Sequence, residues 1–538
     1  MTLGGLLLVT VALSHATPDQ PPYSRDPQAV PYLLAPPAVI DINTGRQLFV
    51  DDYLVAQTNL SRTFHRPVPH SDNPILRPDQ TWESAGALDA YAMPFSDGVL
   101  YDEQAGKYKM WYLARAPADL ISAKPEGGYV TCYAESDDGI HWVKPLLDVV
   151  PGTNIVETVR RDANDVVIDP RATDPARRFI MVSTLRPTDD PEEKRWALSL
   201  RYSADGIHWG PVAATSGAID WLGDRNSLYF DPFRGVWVLS LRNSIRRDPD
   251  FHLVRVRHHF ETDDLAAGLS RLERHPWVRS DRLDPSHPRF PDYVPQLYNL
   301  DAFPYESLMV GLFTVLRGPE NDDAKRLNIH KRNEIFTAFS RDGLHWDRPD
   351  RRPFIGVNET DGAWNWGNVQ SASGGAIIVG DQLYFYYSGR QWSSAAGRSE
   401  GATGVAMLRR DGFASMDAAD SPGILITRQV AFTGAHLFVN ADVAAGELRV
   451  EVLDPQGRVI APYSFANCTP LTADGTKQRV HWNGTDNLES LAGQPVRLRF
   501  QLRQGSLFSF WISRDSTGAS SGRFTSGGSA PLHQSPSQ

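Results

Sequence analysis

The residues of this chain that could do chemistry stand just ahead of short apolar runs. They occur in "LDAYAMPFSDG" with Asp89 and Asp97, "RDANDV" with Asn164 and Asp165, and "GDRNS" with Asp224, Arg225 and Asn226. Two further phrases are "YNLD" with Asn299 and Asp301, and "WGNVQS" with Asn368 and Gln370. Aligned on the turn that follows each run, Asp97, Asn164, Asn226 and Asn299 fall at one level, with Asp165 beside them. Carboxylates and amides gathered at one pocket mouth suit transfer at a glycosidic oxygen. One carboxyl group protonates the leaving oxygen and a second acts as base or nucleophile. Asp165 and Asp224 form the preferred pair, because each precedes an apolar run and has an amide or arginine neighbour to orient it. Asp97 and Asp301 complete the set. The sequence does not divide acid from base within it.

A second series lies at the ends of the strands that return. "MWYLAR", "MVSTLR", "VLSLR", "FTVLR" and "YYSGR" end in Arg115, Arg186, Arg242, Arg317 and Arg390. Arginine keeps its charge and binds carboxylate or sulfate with two parallel hydrogen bonds. An anionic sugar is therefore one reading of the series. Neutralisation of neighbouring aspartates accounts for most of the five and leaves one or two to meet substrate. Arg225 belongs beside them. Trp364, Trp366 and Trp392 offer aromatic platforms near the last rim.

The elements that must position these residues repeat. "SDDGIHW", "SADGIHW" and "SRDGLHW" begin at Ser136, Ser203 and Ser340, 67 and 137 residues apart. A period of about 68 residues predicts further copies near 271 and 409. Worn forms stand there, "SRLERHPW" and "RRDGFASM". Each copy follows two strands joined by a turn, as in "GVLYDEQAGKYKMWY" and "SLYFDPFRGVWVLSL". Five units of four strands predict a five-bladed β-propeller over 40–420. Asp-Gly supplies the positive φ of a tight turn and the tryptophan plugs the space between blades, so "DGIHW" reads as structural. Glu306, in the turn "FPYES", belongs to the face opposite the aspartates. "RQLFVDDYLVA", Arg46 to Ala56, is the candidate for the strand that closes the ring.

Beyond 421 the period stops. "HLFVNADV", "ELRVEVLD" and "VRLRFQLR" alternate as half-buried strands do, which predicts a β-sandwich over 421–515 and a disordered tail at 516–538. Residues 1–16 read as a signal peptide, an apolar run ending in Ser14-His15-Ala16, so the chain is expected outside the cytoplasm, secreted or periplasmic. The 538 residues carry a net charge of −10, which argues against nucleic acid as a partner. No other run is long enough to span a bilayer. Cys132 and Cys468 suit no metal site, no cofactor motif is present, and a monomer is expected.

The whole resembles the invertase, levanase and arabinanase group of glycoside hydrolases, five-bladed propellers followed by a β-sandwich. The resemblance rests on "VLYDEQAGKYKMWY", "GDRNSLYFDPFRGVWVLSLR", "WGNVQSASGG", "LYFYYSGR" and "LRRDGFASMDA". It implies a carbohydrate substrate. The invertase motif "WMNDPNG" and its "EC" are missing, and "RDP" occurs only at Arg247-Asp248-Pro249, so the catalytic residues of that group are not carried over. A non-catalytic carbohydrate-binding propeller is the competing reading.

Overall fold

The computed structural model describes residues 24–530, except 85–88, 119, 121–127, 160, 187–194, 247–252, 328, 361, 394–397 and 486. The leader at 1–16 and the "RDP" at 247–249 lie outside the described residues.

The protein is a five-bladed β-propeller joined to a β-sandwich. Blade I comprises Val99–Asp102, Lys107–Ala116, Gly128–Ser136 and Trp142–Val143, and blade II Ala163–Ile168, Phe179–Leu185, Ala197–Ser203 and Ala214–Thr215. Blade III is Ser227–Asp231, Val236–Arg246, Leu253–Thr262 and His275–Pro276. Blade IV is Gln296–Tyr305, Leu308–Gly318 and Arg332–Ser340, with Asp347 bridged to Phe339 in the fourth place. Blade V is Asn368–Val379, Gln382–Ser393 and Arg398–Arg409. Its fourth strand is Val68–Pro69, paired antiparallel with Met407 and Ala406. The segment 46–56, expected in that place, lies in the sandwich instead, where Gln47–Leu48 and Val55–Thr58 pair with Gly505–Ser513 and Gly423–Thr427.

Blades are covered on both faces by their neighbours, so their strands are apolar without alternation. Leu308–Gly318 and Asn368–Val379 are buried along their whole length. The sandwich strands face water on one side and alternate, as in Arg497–Arg503. Its two sheets close over Phe49, Val439, Leu498, Phe500 and Phe510. Ala414–Ala418, which follows the Asp-Gly turn of the fifth unit, already pairs within the sandwich.

The Asp-Gly turns rivet blades together. Gly139, Gly206 and Gly343 have φ of +79°, +81° and +74°. In all three copies the aspartate's Oδ1 accepts two backbone N–H groups, and its Oδ2 sits 2.7 Å from the histidine Nδ1. The carbonyl of Gly206 accepts Trp111 Nε1–H of blade I at 2.6 Å, and that of Gly139 accepts Tyr386 O–H of blade V at 2.9 Å. Trp346 is buried, whereas Trp142 and Trp209 are only partly so.

The tail differs from expectation up to residue 530. Ser520 Oγ donates to Glu306 Oε2 at 2.7 Å, Tyr101 N donates to Gly527 O at 2.8 Å, and Ser529 pairs with Ile378. Its glycines serve close approach rather than disorder. A Cβ on Gly527 would lie 2.4 Å from Ala376 O, and one on Gly528 2.6 Å from Tyr101 O. Residues 531–538 lie outside the described set. Glu306 stands on this basal face, fully buried, and also accepts Arg410 Nη2 at 2.9 Å. No helix among the described residues is long and apolar enough to cross a membrane.

Candidate active site at the channel rim

The first strands of the blades surround an axis that side chains fill, and Arg225 occupies it. Arg225 is fully buried. Its Nε donates to Ser96 Oγ at 2.7 Å, its Nη2 to the carbonyls of Phe95 and Ser371 at 2.9 and 2.7 Å, and its Nη1 to Gln370 Oε1. Asp301 lies 3.6 Å from Nη2 and accepts Asn299 Nδ2 at 2.8 Å and Ser371 Oγ at 2.5 Å. Asp165 is buried beside them, and burial together with the charge of Asp301 pushes its carboxyl up. Asp97 pairs with Arg161, and burial lifts its carboxyl to about 6. The structure thus brings Asp97, Asp165, Asp301 and Arg225 together, but inside the channel, where their exposure is 0–2%. Asn164 donates to Thr131 Oγ1 at 2.6 Å and Gln370 to Asn368 Oδ1 at 2.8 Å, in the same interior network.

Asp224 stands apart from that group, at the rim. The signal it carries is "Asp-x-Asn", and blade II repeats it one blade away, as Asp162-Ala163-Asn164 beside Asp224-Arg225-Asn226. Both asparagines sit at the start of, or just before, a first strand and tie it to the preceding blade. Asn226 Nδ2 donates to Thr184 Oγ1 at 3.0 Å and its Oδ1 accepts Arg242 N at 2.8 Å. Each aspartate, two residues earlier, is lifted toward the channel mouth, and both side chains are partly exposed. Sequence reasoning passed over Asp162 because it aligned the turns rather than this tripeptide.

Environment separates the two carboxylates. Burial and the charge of Asp224 push the Asp162 carboxyl up to about 7, against the pull of Arg161, Arg242 and Arg390. Burial acts on Asp224 in the same direction, but Arg242, Arg255 and Lys331 outweigh it and hold that carboxyl below its usual range. Arg242 Nη1 is 2.8 Å from Asp224 Oδ1, and Tyr298 O–H donates to Oδ2 at 3.1 Å. A side chain at Gly223 would collide with Arg242 Nε, 1.7 Å from the position of a Cβ. The Arg242 side chain therefore packs directly against the glycine.

The strand-end arginines divide by partner. Arg115 pairs with Asp89, Arg242 with Asp224 and Arg317 with Glu334. Arg186 lies over Trp196, 5.2 Å from the ring centroid. Arg390 lies 5.5 and 5.6 Å from the rings of Phe95 and Tyr91. Trp366 meets His330 edge-on at 4.8 Å, and the Trp392 side chain lies outside the described residues. A cavity of about 660 Å³ on the basal face, between blades I to III and the tail at Phe524, is remote from the carboxylate pair.

No protein-family model and no curated protein matches the chain. Solved structures similar to it include beta-1,2-mannobiose phosphorylase from Listeria innocua (11% identity, 64% of this chain and 97% of that chain, TM-score 0.42). A glycosyl hydrolase from Bacteroides ovatus is 14% identical over 68% of this chain and 96% of its own, with a TM-score of 0.40. A Bombyx mori GH32 beta-fructofuranosidase is 10% identical over 87% and 94%, with a TM-score of 0.37. Likeness at this level decides nothing about chemistry, and the propeller rests on the strand pairing of the chain itself.

Proposed function

We propose that this protein is an enzyme that cleaves glycosidic bonds of an oligo- or polysaccharide at the channel rim. Asp162 is the general acid and Asp224 the base or nucleophile. The observation that supports this is the separation of two neighbouring carboxylates, one pushed toward neutrality and one held ionised, which is how acid and base roles are divided at one pH. Arg242 and Tyr298 fix the orientation of Asp224 and keep it charged. Tyr129 and Trp366, both partly exposed, are the candidate sugar platforms on the approach. The apolar leader favours a secreted or periplasmic place for the reaction.

The test is release of reducing ends from a panel of neutral, uronic and sulfated glycans by the wild type, Asp162→Asn and Asp224→Asn. Turnover by the wild type and a loss of at least 100-fold in each variant support the proposal. Binding of a glycan without turnover, in all three proteins, selects the non-catalytic carbohydrate-binding reading.

A further inference from the structure

The cations of the rim are not all answered by acids. Arg242 has Asp224, and Arg255 Nη1 lies 3.5 Å from Glu320. Arg332 has Glu334 and Glu359. Arg390 and Lys331 have no carboxylate partner among the described residues, and the Nε of Arg390 is buried without a hydrogen-bond acceptor. The two are adjacent through Asn368. Its backbone pairs with Arg390 across blade V, and its side-chain amide donates to the carbonyl of Lys331 at 3.4 Å. Burial first, then the charges of Arg255 and Arg390, push the Lys331 ammonium down to about 8. Arg390 in turn is one of the charges acting on Asp162. Asp162 and Asp224 act on these two cations without an ion-pair contact among the described residues, and an incoming anion would supply the contact that is missing.

We infer that Arg390 and Lys331 form an oxyanion subsite beside the carboxylate pair, which takes a carboxylate, sulfate or phosphate group of the substrate. The inference rests on the proposed function for its place next to the reacting bond. The planar fork of Arg390, backed by the faces of Phe95 and Tyr91, offers two parallel N–H donors. Lys331 adds a point charge from blade IV. The other four strand-end arginines are already engaged, three by acids and Arg186 by Trp196.

Equilibrium titration calorimetry in an Asp162→Asn background, which keeps the bond intact, tests the subsite apart from catalysis. The probes are a uronic-acid disaccharide, its sulfated and neutral counterparts, and inorganic phosphate. A sugar-borne oxyanion predicts at least tenfold tighter binding of a charged disaccharide than of the neutral one. That advantage falls tenfold or more in Arg390→Gln and in Lys331→Met, while affinity for the neutral sugar holds. Tight binding of inorganic phosphate, lost in the same variants, also supports the subsite and assigns it to a free oxyanion. Lys331 is partly exposed, so its variant reads the subsite where folding is not at stake. Equal binding of charged and neutral sugars with no binding of phosphate overturns the inference, as does an advantage that survives both substitutions. Wild-type cleavage of neutral glycans alongside such a result would leave the proposed function standing. Charged-probe binding without any cleavage would do the reverse.

Discussion

Replacing Asp162 by Asn mimics its protonated form without changing its shape, and the consequence for stability can be worked out. A rise from 3.8 to about 7 corresponds, at about 1.4 kcal/mol per pH unit, to about 4 kcal/mol. Asp162 is partly exposed and keeps some of its water, so roughly half of that, about 2 kcal/mol, is the expected size. The sign follows from proton uptake. Between pH 4 and 7 the folded protein holds a proton on Asp162 that the unfolded chain has lost, so stability falls as pH rises. The contribution is complete below about pH 4 and gone above about pH 7. Asp162→Asn removes this slope. Its melting temperature should match the wild type at pH 4 and exceed it by about 2 °C at pH 8. Scanning calorimetry of both proteins at the two pH values reads the effect of Asp162 together with its interacting partner Asp224, since groups that do not interact with the pair cancel in the difference. The same variant should lose at least 100-fold in kcat/KM. Equal pH slopes for the two proteins would refute the placement of a neutral carboxyl at the rim.

Other expectations are checked as directly. Arg242→Gln leaves Asp224 without its partner at 2.8 Å, so the acid limb of the pH–kcat/KM profile should move up by about 1 unit or more. The wild-type alkaline limb should follow Asp162 and lie near pH 7. Glu306→Ala strands Arg410 and opens the tail contact. It should cost about 3–5 kcal/mol by denaturant titration while turnover per folded molecule holds. Trp346→Ala should cost about 3–5 kcal/mol and Trp142→Ala, at a partly exposed site, measurably less. Deleting residues 522–538 should lower the melting temperature, because it removes the pairing with Ile378 and the backbone bond to Tyr101.

The repeated turn made the propeller legible, because Asp-Gly is demanded by backbone conformation at the same point of each unit. Alternation in "VRLRFQLR" likewise marked a sheet with one wet face. The closing strand was not legible. Val68–Pro69 is two residues long and exposed, and nothing in such a segment announces its partner. The tail misled because glycine serves both flexibility and close packing, and only the neighbouring Ala376 and Tyr101 carbonyls decide between them. At the site, Asp224 and the arginine series were readable from type and position. Whether a strand aspartate reaches the rim or the channel interior depends on a few ångströms along the strand, which separates Asp162 from Asp165 in the same phrase. Lys331 gave no signal of its own, since it gains its character from Arg255 and Arg390, both remote in sequence.

The closure of blade V by Val68–Pro69, and of both sandwich sheets by strands near residues 47 to 64, carries a consequence for biosynthesis. A ribosome delivers those early strands first, yet their partners lie at 398–409 and 414–513. At about 5–20 residues per second the wait is roughly 20 to 90 s. The ring cannot close before residue 409 has been made, nor the sandwich before residue 513, and the newborn chain holds open sheet edges until then. A nascent chain arrested before residue 398 should therefore remain protease-sensitive at 46–69 even where blades I to III have formed.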